Sequence, residues 1–367
     1  MSKPRRRKQK KQVKAELKLR QFAATELSDQ LAALPCAADL PRFMVDTVAG
    51  AYAPADAHLM IEGFGAAAAR PVTLRANTLK ATAEDIAAAL DAAGIAHNPV
   101  AWYPDAFILP EAQVSDLWDL DIYRDGKIYL QSLSSMMPPL VLGAQAGEDI
   151  LDMCAAPGGK TTQIAALTQG QAHLTACEMN IPRAEKLESN LHRQGAKNVP
   201  VMRIDARELD EFFRFDRILL DAPCTGTGTV ISGNEKSLRG LTEQLLSKCA
   251  RSQRALLGRA MGALKPGGTL VYSTCSIMPQ ENEDALQEAL DKHMDCELIP
   301  LDGTPSESEA RRAQEAGEEP RVESNALTEA IAAGQVSAIA NGLPGTLTIP
   351  PSRDFEGFYI ALIRKRS

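Results

Sequence analysis

Two cysteines set the chemistry to be considered. Cys224 lies in Asp221-Ala222-Pro223-Cys224-Thr225-Gly226-Thr227-Gly228, and Cys275 lies in Tyr272-Ser273-Thr274-Cys275-Ser276. Each follows a short apolar run of the kind that forms a buried strand, about Arg217 to Leu220 and Thr269 to Tyr272. A lone cysteine is better read as a small buried apolar residue. A pair at the ends of neighbouring strands favours chemistry. Carbon 5 of cytosine is too poor a nucleophile to take a methyl group directly, whereas addition of a thiolate to carbon 6 makes it enamine-like. A free cysteine has a pKa of about 8.5, so a nearby cation or helix N-terminus is expected to lower it. The second thiol then suits a general acid or base for loss of the carbon 5 proton and expulsion of the sulfur. Asp221 is placed to engage N3 of the base, either as the neutral acid or while paired with Lys160.

The elements that must position these residues are legible from about residue 148 onward, where short apolar runs alternate with longer helical ones, the pattern of parallel strands and crossover helices. Ile150 and Leu151 feed Asp152 and the loop Cys154-Ala155-Ala156-Pro157-Gly158-Gly159-Lys160, followed by a helix carrying Ile164 and Leu167. A strand over about 173–177 ends at Glu178. Asn180 caps the next helix, with Pro182 in its first turn and Gly195 at its end. A strand over about 199–204 ends at Asp205, and a helix over about 241–264 closes at Lys265-Pro266-Gly267-Gly268.

Ligands of open α/β sheets bind beyond the carboxyl ends of the strands. Here the strands end in Asp152, Glu178, Asp205, Asp221 and Cys275. The glycine loop is neither G-x-G-x-x-G nor a P-loop, and its shared Gly-Lys-Thr tail leaves a nucleotide triphosphatase disfavoured. Ionised acids repel an anionic dinucleotide but suit S-adenosyl-L-methionine, which carries a sulfonium and an ammonium. Glu178 is placed to accept both ribose hydroxyls of an adenosine cofactor, and Asp205 to meet the adenine amine or simply to cap the following helix.

The chain has 367 residues, 45% apolar and 24% charged, long enough for two domains. Residues 24–140 read as a separate small α+β domain, with Thr82 and Asp85 as a capping box and a strand from Val72 into Arg75-Ala76-Asn77-Thr78-Leu79-Lys80. Residues 141–367 form the catalytic domain, interrupted by an acidic stretch over 302–325 expected to be exposed or partly disordered. Residues 1–23 read as a basic arm. Residues 1–20 alone carry a local charge of +9 within a total of −7, which leaves −16 elsewhere, so any RNA site must be a local basic groove. No apolar run approaches a membrane span and no signal peptide is evident, so the expected location is cytoplasmic. The seven cysteines are scattered without a CxxC pair, which predicts free thiols and no metal site.

The Asp152–Thr161, Asp221–Gly228 and Tyr272–Ser276 segments resemble, in order and spacing, the cofactor loop, Pro-Cys motif and Thr-Cys motif of the RsmB/Sun-type RNA cytosine-C5 methyltransferases. The likeness covers essentially everything after the basic arm. It implies a class I S-adenosylmethionine-dependent methyltransferase (Rossmann-like) α/β domain with a smaller N-terminal α+β RNA-binding domain. It implies further that Cys275 attacks and Cys224 assists product release, with Lys160 and Asp221 facing the base. Cofactor contacts are implied from Cys154, Ala155, Ala156, Pro157, Gly158, Gly159, Lys160, Glu178, Asp205 and Asp221, with Arg183 nearby. Arg75, Asn77 and Lys80 match an Arg-x-Asn-x-Leu-Lys segment assigned to RNA. The closing Asp354–Ala361 segment looks like the family's last strand. The implied partner is RNA, ribosomal ahead of transfer RNA, and the expected state is a monomer. Two rivals stand beside this reading. In DNA cytosine methyltransferases the Pro-Cys cysteine attacks, which would make Cys224 the nucleophile; a non-catalytic RNA-binding factor could keep the fold alone.

Overall fold

The computed structural model describes residues 21–367, so the expected basic arm lies outside the described residues up to residue 20. Two sheets organise the chain. The smaller is antiparallel and has the order β2-β3-β1-β4, from β1 (Val72–Ala76), β2 (Asn98–Val100), β3 (Tyr103–Leu109) and β4 (Ile128–Leu130). Its one long helix, Ala83–Ala92, opens on the expected capping box and buries Ile86 and Leu90 against the sheet.

The larger sheet has the order β10-β12-β9-β8-β5-β6-β7, with β11 paired to β12. Its strands are β5 (Asp149–Asp152), β6 (His173–Cys177), β7 (Val201–Met202), β8 (Phe215–Asp221), β9 (Leu264–Thr274), β10 (Cys296–Ile299), β11 (Leu347–Ile349) and β12 (Phe358–Lys365). Strands β5 to β9 pair in parallel, and β12 runs antiparallel beside β9. This is the expected α/β Rossmann-like sheet. Alternate residues of one strand enter different clusters: Ile150, Leu219 and Val271 face one side, and Leu151, Leu220 and Tyr272 the other. Both faces are therefore covered, which is why these strands read as continuous apolar runs rather than alternating ones.

Three details differ from the sequence reading. The turn Lys265–Gly268 does not precede β9 but bulges within it, between the pairs Phe215↔Leu264 and Arg217↔Thr269. Part of the acidic stretch is ordered as the helix Glu307–Ala316, capped by Ser306 and ended by Gly317, while Glu323 pairs with Arg364 of β12. Its apolar face is so narrow that only Ala313 is buried, which hides it from a periodicity argument. Lastly, the helices over 21–32, Arg42–Ala51 and Pro54–Ala66 share a core with Val230, Leu246, Ile277 and Met278, not with the small sheet. No helix among the described residues is long and apolar enough to cross a membrane.

Candidate active site

The parallel strand ends converge as expected. Asp152 and Asp221 are the last residues of β5 and β8, and Glu178 and Cys275 directly follow β6 and β9. Strands β8 and β9 are neighbours in register, Asp221 opposite Ser273, so the segments that leave them run side by side. The consequence is a contact: Cys224 Sγ lies 3.2 Å from Cys275 Sγ. Hydrogen bonding to Cys275, and then burial, push the Cys224 thiol well above its ordinary pKa. Gly228 closes the Pro-Cys loop by donating its N–H to the Cys275 carbonyl, 2.9 Å. A Cβ there would meet the Gly357 carbonyl oxygen at 1.9 Å, so only glycine fits.

Beside the thiols, Lys160 Nζ donates to Asp221 Oδ2 at 2.7 Å and to Ser135 Oγ at 2.8 Å, and stacks 5.7 Å from the centre of the Phe358 ring. Burial opposes the charge on Lys160, but Asp221 outweighs it and the ammonium pKa is raised. Asp221 Oδ1 accepts from Ser273 Oγ, 2.8 Å. Of the two ways left open for Asp221, the geometry is that of the pair. Cys275 and this pair line a cavity of about 280 Å³ whose walls also include Tyr129, Ser132, Thr229, Glu356 and Phe358.

A second cavity, about 350 Å³, is lined by Glu178, Met179, Arg183, Asp205 and Arg207. Cys154 lines both, so the two are neighbours. Glu178 is buried and accepts from the Asn180 N–H at 2.9 Å. Arg183 clasps the loop to it, donating to the Ala156 carbonyl at 2.9 Å and lying 3.4 Å from Glu178. Asp205 pairs with Arg207 and caps the turn Ala206–Glu208, one of its two expected roles, while still lining the cavity. The loop Ala155 to Gly159 bends through Gly158, whose φ of +106° and packing on Leu187 demand glycine. Asn190 holds the Pro157 carbonyl. Asp152 is buried; Oδ2 accepts from Thr161 and Oδ1 has no partner among the described residues. Burial pushes its carboxyl up to about 6.

Of the three residues expected to face RNA, Arg75 and Asn77 are buried and Lys80 is exposed. Arg75 is wholly buried in the interior strand β1, where it donates to Gln131 Oε1, the Gly159 carbonyl and Thr162 Oγ1 and lies over the Tyr129 ring. Asn77, also buried, donates to the carbonyls of Gly126 and Gln194. Lys80 donates to those of Asp125 and Arg193. All three join the small sheet to the helices Gly159–Leu167 and Ile181–Gln194, and a guanidinium with no exposed surface offers nothing to a phosphate.

Sequence reasoning missed Ser135, Glu281 and Glu356. Glu281 is buried behind the thiols and accepts from Thr225 N, Thr225 Oγ1, Ser276 Oγ and Gln253 Nε2. Its only sequence signal is a carboxylate six positions beyond Cys275 in a region otherwise reading as a turn.

Comparison with known proteins places this geometry. Residues 139–364 match the family described as 16S rRNA methyltransferase RsmB/F, and residues 40–115 match a ferredoxin-like domain described for RsmF/B-like methyltransferases. Ribosomal RNA small subunit methyltransferase F of Vibrio parahaemolyticus is 35% identical over 318 residues, 84% of this chain and 60% of that protein. The 28S rRNA (cytosine-C(5))-methyltransferase of Mus musculus is 39% identical over 63% of this chain and 30% of its own length. The chain spans about half the length of the curated relatives it matches. A solved methyltransferase homolog from Pyrococcus horikoshii is 30% identical with a TM-score of 0.69, covering 93% of this chain and 99% of its own. With more than half of its residues in that family match, and with a solved relative covered almost end to end, the chain belongs to the RsmB/F methyltransferase family.

Proposed function

We propose that the protein methylates carbon 5 of a cytosine in ribosomal RNA through a covalent adduct between Cys275 and carbon 6 of the base. One observation carries the reading: Cys275, its sulfur 3.2 Å from that of Cys224, shares a cavity with the Lys160–Asp221 pair, and Cys154 borders both that cavity and one lined for an adenosine. The substrate class rests on the family's description and on relatives named as ribosomal RNA methyltransferases.

The second cavity fits S-adenosyl-L-methionine by its donor set. Glu178 would accept the ribose hydroxyls, Asp205 and Met179 would border the adenine, and the backbone from Cys154 to Gly159 would follow the chain between. The unpartnered, buried Oδ1 of Asp152 suits an ammonium. When bound, this cofactor supplies an electrophilic methyl group.

The chain's own residues do the rest. The Cys275 thiolate adds to carbon 6 while the Lys160 ammonium, held by Asp221 and Ser135, donates to the N3–O2 edge and draws off the charge that addition places there. The Cys224 thiol, its pKa raised, hydrogen-bonds the attacking sulfur first; after methyl transfer it relays the carbon 5 proton, giving its own to the departing Cys275 sulfur as the carbon 6–sulfur bond breaks and taking the carbon 5 proton in its place. This division favours Cys275 as the nucleophile over the Pro-Cys attack of the DNA enzymes.

The test is methylation of small-subunit ribosomal RNA with labelled S-adenosylmethionine and bisulfite mapping. Wild type should give 5-methylcytosine at one or few sites and Cys275→Ala none, while Cys224→Ala should accumulate a covalent protein–RNA adduct. An active Cys275→Ala beside a dead, adduct-free Cys224→Ala reverses the roles. A wild type that binds cofactor and RNA without turnover returns the protein to a binding factor.

A further inference from the structure

We propose that Glu356 is the residue that distinguishes cytosine from uracil, its carboxylate accepting a hydrogen bond from the exocyclic N4 amine of the target base. The inference rests on the reading above. Addition of a thiolate to carbon 6 works on either pyrimidine, because both conjugate the 5,6 double bond with an acceptor at position 4. The chemistry therefore does not select the base. Selection has to be made at position 4, where cytosine presents two N–H donors and uracil presents an oxygen. A fixed anionic acceptor there favours the first and repels the second.

Three carboxylates line the base cavity: Asp152, Asp221 and Glu356. Asp221 accepts on both oxygens, from Ser273 and Lys160. Asp152 is the last residue of β5, beside the cofactor loop, with Thr161 on one oxygen. Glu356 lines the same cavity from the segment that leads into β12. Its Oε2 accepts from Ser132 Oγ at 2.7 Å, which fixes the side chain, and among the described residues its Oε1 meets no donor and the group pairs with no cation. Glu356 is half-buried, so Oε1 stays open to a substrate donor, and the charge of Arg70 acts on the group without an ion-pair contact.

Its backbone is tied to the nucleophile. Ser134 Oγ donates to the Glu356 carbonyl at 2.9 Å; Gly357 N donates to Gly228 O at 2.8 Å, and Gly228 N to Cys275 O at 2.9 Å. Two hydrogen bonds thus set the reach from Cys275 to Glu356, as a discriminating contact needs. A site built to bond a substrate N–H rejects an analogue lacking it by up to about 10⁴-fold, far more than shape alone achieves.

The experiment uses the full chain, a small-subunit ribosomal RNA transcript, and the same transcript with the mapped cytosine replaced by uridine, read as 5-methylcytidine and 5-methyluridine. The wild type should prefer cytosine by about 100-fold or more in kcat/KM. Glu356→Gln, whose amide can donate to the uracil oxygen, should lower kcat/KM on cytosine and bring the ratio within about tenfold, with unchanged melting and cofactor affinity. Ser132→Ala should move the ratio the same way by less, and it keeps the test open should Glu356→Gln fold poorly. A wild type active on cytosine, with both variants keeping its ratio, overturns this assignment alone. A wild type inert on both transcripts overturns the functional reading and this one with it.

Discussion

Arg75 shows what a single side chain can conceal. Read from sequence it is a cation leading a polar segment, and a phosphate contact is the natural expectation. In the fold it makes three hydrogen bonds to Gln131, Gly159 and Thr162, and burial lowers its pKa by more than the neighbouring tyrosines and Asp105 raise it. One of those bonds holds the first residue of the helix that carries Lys160. Arg75→Ala should therefore cost about 3 kcal/mol of stability through unpaired acceptors and an empty volume, measured by urea denaturation, while RNA affinity of the folded fraction stays within about twofold, too small for a lost phosphate contact. An intact stability with a large loss of RNA affinity would restore the original expectation. The thiols were legible for the opposite reason. Their neighbours in sequence, a strand before and a glycine-rich loop after, are what places them, whereas the acceptors around Arg75 come from segments 56 to 87 residues away.

Between elements, the two reactive loops are held by one carboxylate. Thr225 and Ser276 each follow a cysteine by one residue, and both donate to Glu281, as does Gln253 from the helix Glu243–Ala263. Glu281 itself sits in the short turn Pro279–Glu281, where the Tyr272 hydroxyl donates to its carbonyl. The separation of the two sulfurs is thus set by the turn after β9 as much as by the strands. Glu281→Gln keeps the volume but exchanges one acceptor oxygen for a donor against at least two hydroxyls and an N–H. Adduct formation in single turnover should fall at least about tenfold, with cofactor affinity unchanged because Glu178 directly follows β6 and Arg183 stands on the helix after it. Equal loss of both would make Glu281 a folding residue only. The strands that carry this site were readable because buried parallel strands are uninterrupted apolar runs, and Asn180, Pro182 and Gly195 mark their helix with local signals. The helix Glu307–Ala316 was not, since a helix that buries one alanine leaves no periodic trace.

At the scale of the whole molecule, the N-terminal helices, the large sheet and the segment before β11 meet at Glu283. It is 4% exposed, neither carboxylate oxygen has a partner among the described residues, and it borders a cavity of about 230 Å³ with Tyr52, Pro279, Gly342 and Leu343. Burial pushes its carboxyl from 4.5 up to about 7. The folded state therefore binds this proton more tightly than the unfolded chain does. Its contribution to stability is complete below about pH 4.5 and is lost as pH rises through about 7. Asp152, raised to about 6, loses its contribution in the same direction. Carboxyls held below their usual range, such as Asp149 and Asp216 beside Lys265, act oppositely and fade at acid pH, but they lie at the surface and weigh little. Wild-type stability should then peak on the acid side of neutrality and decline toward pH 8. Glu283→Gln mimics the protonated acid and removes most of that decline, so it should match the wild type within about 1 kcal/mol at pH 5 and exceed it by roughly 2 to 3 kcal/mol at pH 8. Urea midpoints at pH 5, 6, 7 and 8 for the two proteins decide it: stability curves that converge toward pH 4.5 and part between about pH 5 and 7 locate the buried proton at Glu283, and curves parallel over the whole range remove it from there.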